Sequence, residues 1–372
     1  MFLALREMRR AVVRFGLLMA SVGLLVFLIL FQQTLQSGLI TSFVGALENQ
    51  SAPVLVYSVD GRRNLQGSVI TPPVEAQIRG AEGVGRAGRL GQGTFTVTAD
   101  GAITSAAVIG YEEEGLGSPT TLRSGRLPAA TGEAVALDTS PSGFALGDTV
   151  RVEPGGLDIR IVGTASEIGY QASPTLFTTY GTFEQAVRAA NPDARGVLPN
   201  AMALEPATGT SDAGLVRAVD DAAADADAVT RAEAVATTPG VEQIQQSFRI
   251  IFLLYGLVVP LVTGLFFLII TLQKANSLTL LRAVGAPAGR LVRSLMVQVG
   301  VVLVVGIGFG VLLYLPVSSA RLGDIPLSFQ PGAVAFWSAL LLALGFVSAW
   351  FSARRVLRID PIRATTGAGV GS

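Results

Sequence analysis

Cysteine and histidine are absent from the 372 residues, and lysine occurs once, at Lys274. Without cysteine there is no disulfide and no thiolate metal site; without histidine the commonest metal ligand and the commonest general base are missing. Metalloenzyme and Ser-His chemistry are therefore poorly supplied. The single lysine, in TLQKAN, does not form a GxxxxGK(S/T) phosphate loop, so the chain carries no such nucleotide cradle of its own. Charge is also scarce, at 15% of residues, with a formal net charge of zero. In its place stand long hydrophobic runs in a chain that is 50% apolar by type.

Four of these runs, 15–31, 250–272, 295–315 and 333–350, have the roughly 17 to 23 residues needed to cross a bilayer as helices. The first is followed by QQTLQSGLITSFVGAL, which continues a helical pattern without a small-residue cleavage site, so it reads as a retained anchor and not a signal peptide. Arg6, Arg9, Arg10 and Arg14 precede the first run. Lys274, Arg282, Arg290 and Arg293 lie between the second and third, and Arg354, Arg355, Arg358 and Arg363 follow the fourth. Basic residues near span ends stay on the cytoplasmic side, which places both termini inside a multi-pass plasma-membrane protein. In MFLALREMRRAVVRFG, Met1, Leu5, Met8 and Val12 recur at helical spacing opposite Arg6, Arg9 and Arg10, as in an interfacial helix.

The expected fold class is an α-helical integral membrane protein with four transmembrane helices and an α+β extracytoplasmic domain inserted between the first and second. The expected division is a cytoplasmic interfacial helix over 1–14, transmembrane helix 1 over 15–39, the extracytoplasmic domain over 40–246 and transmembrane helix 2 over 247–273. A cytoplasmic stalk and loop over 274–293, transmembrane helix 3 over 294–316, an outer loop over 317–332, transmembrane helix 4 over 333–351 and a cytoplasmic tail over 352–372 complete it.

In the long segment the acids exceed the arginines by about ten, as suits an aqueous domain. Strands are expected in PVLVYSVD, in TFTVTADGAITSAAVIGY about an Asp100-Gly101 turn, in EAVAL, and in DTVRVEPGGLDIRIVGTA about a Pro-Gly-Gly turn. Helices are expected in TPPVEAQIRG, TFEQAVRAA and TRAEAVATTPG, the last with Thr230 placed to cap it. Glu112, Glu113 and Glu114 read as a solvated loop in preference to a cation site, and DDAAADADA as an exposed helix end or loop. Gly306, Gly308 and Gly310 suit close helix contact, either within the subunit, which is preferred, or at a seam between copies.

The stretch TLQKANSLTLLRAVGAPAGRLV carries the basic cluster across a Gly285-Ala286-Pro287 break that must end a helix. Leu278, Leu281 and Arg282 fall within one turn before that break. On local pattern this is either a docking tip or an ordinary basic connector. The string LTLLRAVGAPAGRLVRSLMVQ resembles the loop of FtsX/MacB-type ABC transporter permeases, with its Leu-Arg-Ala-hydrophobic-Gly-Ala core. The ending FSARRVLRIDPIRA is similar to the C-terminus of the same family, and LRSGRLP followed by GEAVAL and LGDTV to its ectodomain pattern. MFLALREMRR, VLVYSVDGRRNLQGSVI, TTPGVEQ and TLQK look most like the DevC/HrtB-like branch. At Asn276-Ser277 the chain departs from the charged Arg-Glu pair of many relatives.

The resemblance implies a non-catalytic permease subunit of an exporter driven by mechanotransmission. ATP is then bound by a separate cytoplasmic ATPase, and this chain holds no cofactor or metal and binds no nucleic acid. Leu278, Leu281, Arg282, Gly285, Ala286, Pro287 and Arg290 are implied as the ATPase-coupling residues, and a second permease copy as a homodimer partner within membrane lipid. It further implies an amphiphilic substrate (haem, lipid or hydrophobic compound) passing near Gln32, Gln33, Gln36, Glu242, Gln246 and Arg249. Those six also read, preferably, as polar caps at the outer boundary. The alternative function is an FtsX-like signal module that activates an extracytoplasmic cell-wall hydrolase without transporting anything.

Overall fold

The computed structural model describes residues 11–138, 140, 142–194, 196–273, 288–318, 321–322 and 325–357. The chain divides into two compact units, one taking α1 (Val12–Glu48) as far as Gln36 together with α6 (Val241–Gln273) from Ser247, α7 (Ala288–Val317) and α8 (Pro331–Leu357). The other runs from Ser37 to Gln246 and includes the hairpin of β11 (Arg321–Leu322) and β12 (Ile325–Pro326). The four long helices are apolar and long enough to cross a membrane, so this is a multi-pass membrane protein with a β-rich domain between its first and second spans.

In the membrane unit, packing depends on small residues, because lipid offers no hydrophobic drive for helix association. A Cβ on Gly306 of α7 would lie 2.8 Å from Val22 Cβ and 3.1 Å from the Met19 carbonyl of α1. One on Gly310 would strike the Gly23 carbonyl, and one on Gly23 would sit 2.5 Å from Phe309 Cδ1. Gly306 and Gly310 thus serve a contact within the subunit, as the sequence reading prefers. Gly308 differs, since nothing lies within 4 Å of a Cβ built there. Around this contact Phe15, Leu18, Val26, Ile29 and Leu30 of α1 are buried against Val299, Val302, Leu303 and Ile307 of α7.

The second unit is built on β1 (Val54–Ser58), α2 (Pro72–Gly80), β2 (Val84–Ala99), β9 (Ala201–Pro206), α4 (Asp212–Ala222) and β10 (Ala226–Thr230). These strands lie in the order β10-β1-β9-β2, all antiparallel neighbours, a split β-α-β pattern of ferredoxin-like type. Between β2 and β9 a second lobe is inserted: β3 (Ala102–Tyr111), β4 (Leu122–Gly125), β5 (Glu133–Leu137), β6 (Thr149–Val152), β7 (Leu157–Ala165), β8 (Thr175–Thr179) and α3 (Tyr180–Ala190). The sheet continues through it as β3-β8-β5-β7-β4, with β6 pairing β2 and β7. Strand alternation feeds both faces. Val54 and Val56 pack with Val74 and Ile78 of α2 and Leu215 and Val219 of α4, while Leu55 and Tyr57 face a central core that also holds Ala46 and Leu47 of α1.

The expected hairpins are present: Asp100 (φ 50°) and Gly101 (φ 74°) turn β2 into β3, and Pro154 to Gly156 join β6 to β7. Thr230 caps α5 (Arg231–Thr237) by accepting from Glu233 N at 3.3 Å. Glu112 and Glu114 are exposed in the turn after β3, as a solvated loop requires, and the run is tied down by surface bonds: Glu112 accepts from Arg79 Nη2 and Arg89 N, each at 2.8 Å, and Glu113 from Arg86. One reading needs correction. Part of DDAAADADA is strand, since Ala226, Asp227 and Ala228 belong to β10 and Asp227 receives Arg63 at 2.8 Å.

The small-residue contact makes a direct prediction. Gly310→Val should destabilise the bundle by roughly 1–3 kcal/mol through overpacking, whereas Gly308→Val should be near neutral in thermal unfolding in detergent. Equal effects from the two would contradict the assigned contact.

Candidate functional site

Six of the expected coupling residues, Leu278, Leu281, Arg282, Gly285, Ala286 and Pro287, lie outside the described residues. Arg290 stands in the first turn of α7. Among the expected outer-boundary residues, Gln32, Gln33 and Gln36 are half-buried along α1 and Arg249 is exposed on α6 of the same unit. Glu242 and Gln246 are exposed at the start of α6, in the other unit. Gln33 has a specific partner: its Oε1 accepts from Trp337 Nε1 of α8 at 3.4 Å.

That contact belongs to a larger polar cluster that sequence reasoning missed. Tyr314 of α7 is 1% exposed, and its hydroxyl lies 2.5 Å from Thr34 Oγ1 of α1 and donates to the Ser328 carbonyl at 3.3 Å. Phe329 packs on the Tyr314 ring at 5.7 Å, and Phe252 of α6 on the Trp337 indole at 5.2 Å. One tyrosine and one tryptophan therefore tie all four spans together with their apolar rings while each polar tip finds an acceptor. The sequence signal was the isolated Tyr in VLLYLP and Thr in FQQTLQ, polar groups that an apolar setting obliges to pair.

Deeper in the bundle α6 contains Pro260. Proline removes one helical donor, the one that would serve the Gly256 carbonyl; at the Pro260 carbonyl itself, Ser348 Oγ of α8 donates at 2.8 Å and ties the two helices together. A Cβ on Gly264, one turn along, would collide with Ser348 Oγ, so α6 and α8 meet at backbone distance there. Gln298 is buried in α7 at 2% exposure. On the side of α6 away from Phe252, Tyr255 and Val259, which pack into the bundle, runs an apolar stripe: Ile250, Leu253, Leu257, Leu261, Leu265 and Ile269 are all exposed, at spacings of three or four. This is the surface a lipid-facing helix presents.

In the other unit the motif LRSGRLPAATGE folds as a local lock. Arg126 Nη1 donates to Glu133 Oε2 at 2.7 Å, and the same carboxylate oxygen accepts from the backbone of Ala129 at 3.0 Å and Ala130 at 3.2 Å. Arg126, followed by these two N–H groups, holds the Glu133 carboxyl down at about 2. Gly125 (φ 76°) permits the end of β4 to cross the Val162 carbonyl of β7. On Glu75, burial raises the pKa, but hydrogen bonds from Arg89 and Arg79 outweigh it and the net shift is downward. Among the described residues no group of three or more acidic side chains is arranged to hold a metal ion.

The Thr34–Tyr314 pair is testable as a unit. A double-mutant cycle of Thr34→Val and Tyr314→Phe, read by unfolding in detergent, should give a coupling energy of roughly 0.6–1.7 kcal/mol; additive effects would show that the hydroxyls do not interact.

No protein-family model matches the chain. An uncharacterized ABC transporter permease of Mycobacterium tuberculosis is 25% identical over 370 residues, covering 99% of each chain. The HrtB permease of Staphylococcus epidermidis, named for hemin transport, is 22% identical over 111 residues, which is 30% of this chain and 32% of HrtB. The solved periplasmic region of MacB from Actinobacillus actinomycetemcomitans matches 50% of this chain and 92% of its own, with 15% identity and a TM-score of 0.36. With one span before a β-rich domain and three after it, the chain is similar from end to end to an ABC transporter permease, and its loop and C-terminal motifs resemble those of FtsX/MacB-type permeases.

Proposed function

We propose that this chain is the permease subunit of an ABC exporter that moves an amphiphilic substrate, with ATP bound and hydrolysed by a separate cytoplasmic ATPase. The observation that carries the reading is the full-length similarity to an ABC transporter permease, together with the four spans and inserted domain. The chain itself has no phosphate loop, so hydrolysis falls to the partner. Two copies of the four-span subunit pair with two-fold symmetry. The amphiphile is of the haem, lipid or hydrophobic class, consistent with hemin transport in the name of the relative HrtB. Gln32, Gln36 and Arg249 of the membrane unit are its candidate contacts at the outer boundary, and so, separately, are Glu242 and Gln246 of the other unit. Gln33 is already engaged by Trp337 and serves first to hold α1 to α8.

Orientation follows from the basic residues. Both termini and the 274–293 loop are cytoplasmic, and the β-rich domain faces out. Because the chain has no native cysteine, introduced ones report cleanly. Ile103, 75% exposed at the β2–β3 hairpin, changed to cysteine should react with an impermeant thiol reagent on intact cells, and Ser277→Cys should not. The reverse pattern would overturn the orientation.

The ATPase docks on the loop through Leu278, Leu281 and Arg282, with the Gly285-Ala286-Pro287 break setting its end and Arg290 flanking it. An apolar anchor beside a fixed positive charge suits a groove on a partner. Leu281→Asp combined with Arg282→Glu should lower ATPase recovery in a detergent pull-down by about tenfold or more, as loss of a hot spot does, while the permease still inserts. Unchanged recovery and unchanged hydrolysis would reduce the loop to a basic connector.

A further inference from the structure

The second unit receives its two long helices in different ways. At α1 the backbone itself is clamped. The connection from β7 to β8, Ser166 to Ser173, lies across residues 41–49 as a strap: Ala46 N donates to the Gly169 carbonyl at 2.9 Å, Gln171 N to the Phe43 carbonyl at 3.0 Å, and Ala172 N to the Ser42 carbonyl at 2.9 Å. Asn49 Nδ2 adds a bond to the Glu167 carbonyl at 2.8 Å. The two backbones touch through glycines on both sides. A Cβ on Gly45 would strike the Glu167 carbonyl, and one on Gly169 would lie 2.9 Å from Ser42 Cα and 3.0 Å from its carbonyl oxygen.

The strap adopts an unusual conformation to make these bonds. Glu167 (φ 58°), Gln171 (φ 50°) and Ala172 (φ 52°) are all left-handed without being glycine, a conformation that persists only where the surroundings over-determine it. Here they do so from the domain side as well. Ile168 and Tyr170 are buried in the same core as Ala46 and Leu47 of α1. Ser166 N donates to the Thr121 carbonyl and Tyr170 N to Thr175 Oγ1, each at 3.0 Å.

At α6 the entry is more exposed. It starts at Val241 after the corner Thr238-Pro239-Gly240, where Gly240 has φ 96° and a Cβ would meet nothing within 4 Å. Of its first six residues only Val241 is buried. Proline fixes its own φ, so Gly240 is the residue of this corner with freedom to absorb a rotation.

We infer that movement of span one enters the extracytoplasmic domain through the Ser166–Ser173 strap, whereas the Pro239-Gly240 corner lets span two move without driving that domain. The inference rests on the transporter reading above and makes it asymmetric: one helix is the lever and the other follows. Since the strap is the direct link between β7 and β8, a displacement of residues 41–49 is delivered to two central strands of the inserted lobe at once.

The test is hydrogen exchange read by mass spectrometry on the complex purified through a tag on this chain, with its ATPase bound, before and after trapping with ATP and vanadate. In the wild type, trapping should alter exchange in the strap and in β7 and β8. Gly169→Ala should speed strap exchange about tenfold, as local opening does, and abolish the response in β7 and β8 while the ATPase stays bound; Asn49→Ala, a milder change, should reduce that response. One glycine inserted after Gly240 should leave it intact. A response that survives Gly169→Ala, is lost on the insertion, or is missing in the wild-type complex would overturn the inference. If the wild-type chain recovers no ATPase at all, the transporter reading fails and the inference falls with it, a result distinct from the others.

Discussion

Close backbone contact along one helix is the interaction on which the rest of the structure depends. Within the membrane unit α1 meets α7 where Gly23 faces Gly306 and Gly310, and within the second unit it meets the strap where Gly45 faces Glu167. At both places a single methyl group would force the partners apart. Lipid supplies no hydrophobic drive for helix association, so the first contact depends on shape and on dispersion between small residues. Water surrounds the second unit, and there the same helix is held by buried Val44, Ala46 and Leu47 and by hydrogen bonds from the strap. One helix thus satisfies two solvents with two different kinds of adhesive force.

The polar groups of the membrane unit follow from the cost of leaving them unpaired. Tyr314 with Thr34, Trp337 with Gln33, and Ser348 with the Pro260 carbonyl each join two different helices. Every such bond is modest in energy, but in an apolar setting its geometry is specific. They fix the register of the four spans, which apolar side chains alone would leave adaptable. A permease that changes conformation needs such discrete contacts, because a bundle that deforms continuously transmits nothing.

Much of the architecture was legible in the sequence because hydrophobic length is a strong signal. The β1, β5 and β6–β7 segments were equally clear from alternation and turn residues. The first half of β2, VGRAGRLGQG, was not: glycine at 85, 88, 91 and 93 reads as loop by propensity, yet at 85, 91 and 93 it is bare so that neighbours can lie on the strand. A Cβ on Gly91 or Gly110 would collide with Phe183 of α3. β10 was hidden by its alanines and Asp227, which carry little strand propensity and gain it only by pairing with β1. The Tyr314 cluster and the strap were beyond reach for another reason. Both join residues more than a hundred positions apart, and the strap acts through main-chain groups that leave no side-chain signature. The motif LRSGRLP, by contrast, carried its meaning in side chains, and the Arg126–Glu133 lock explains its second arginine and its distance from GEAVAL.

The central claim is that this chain is half of a membrane path driven by a separate ATPase. The most direct measurement is the intact mass of the assembly released from membranes through a tag on this chain, under conditions that keep subunits together. The account predicts two copies of this chain carrying two copies of an ATPase. A single copy of this chain, or a pair bearing an extracytoplasmic hydrolase and no ATPase, would contradict it.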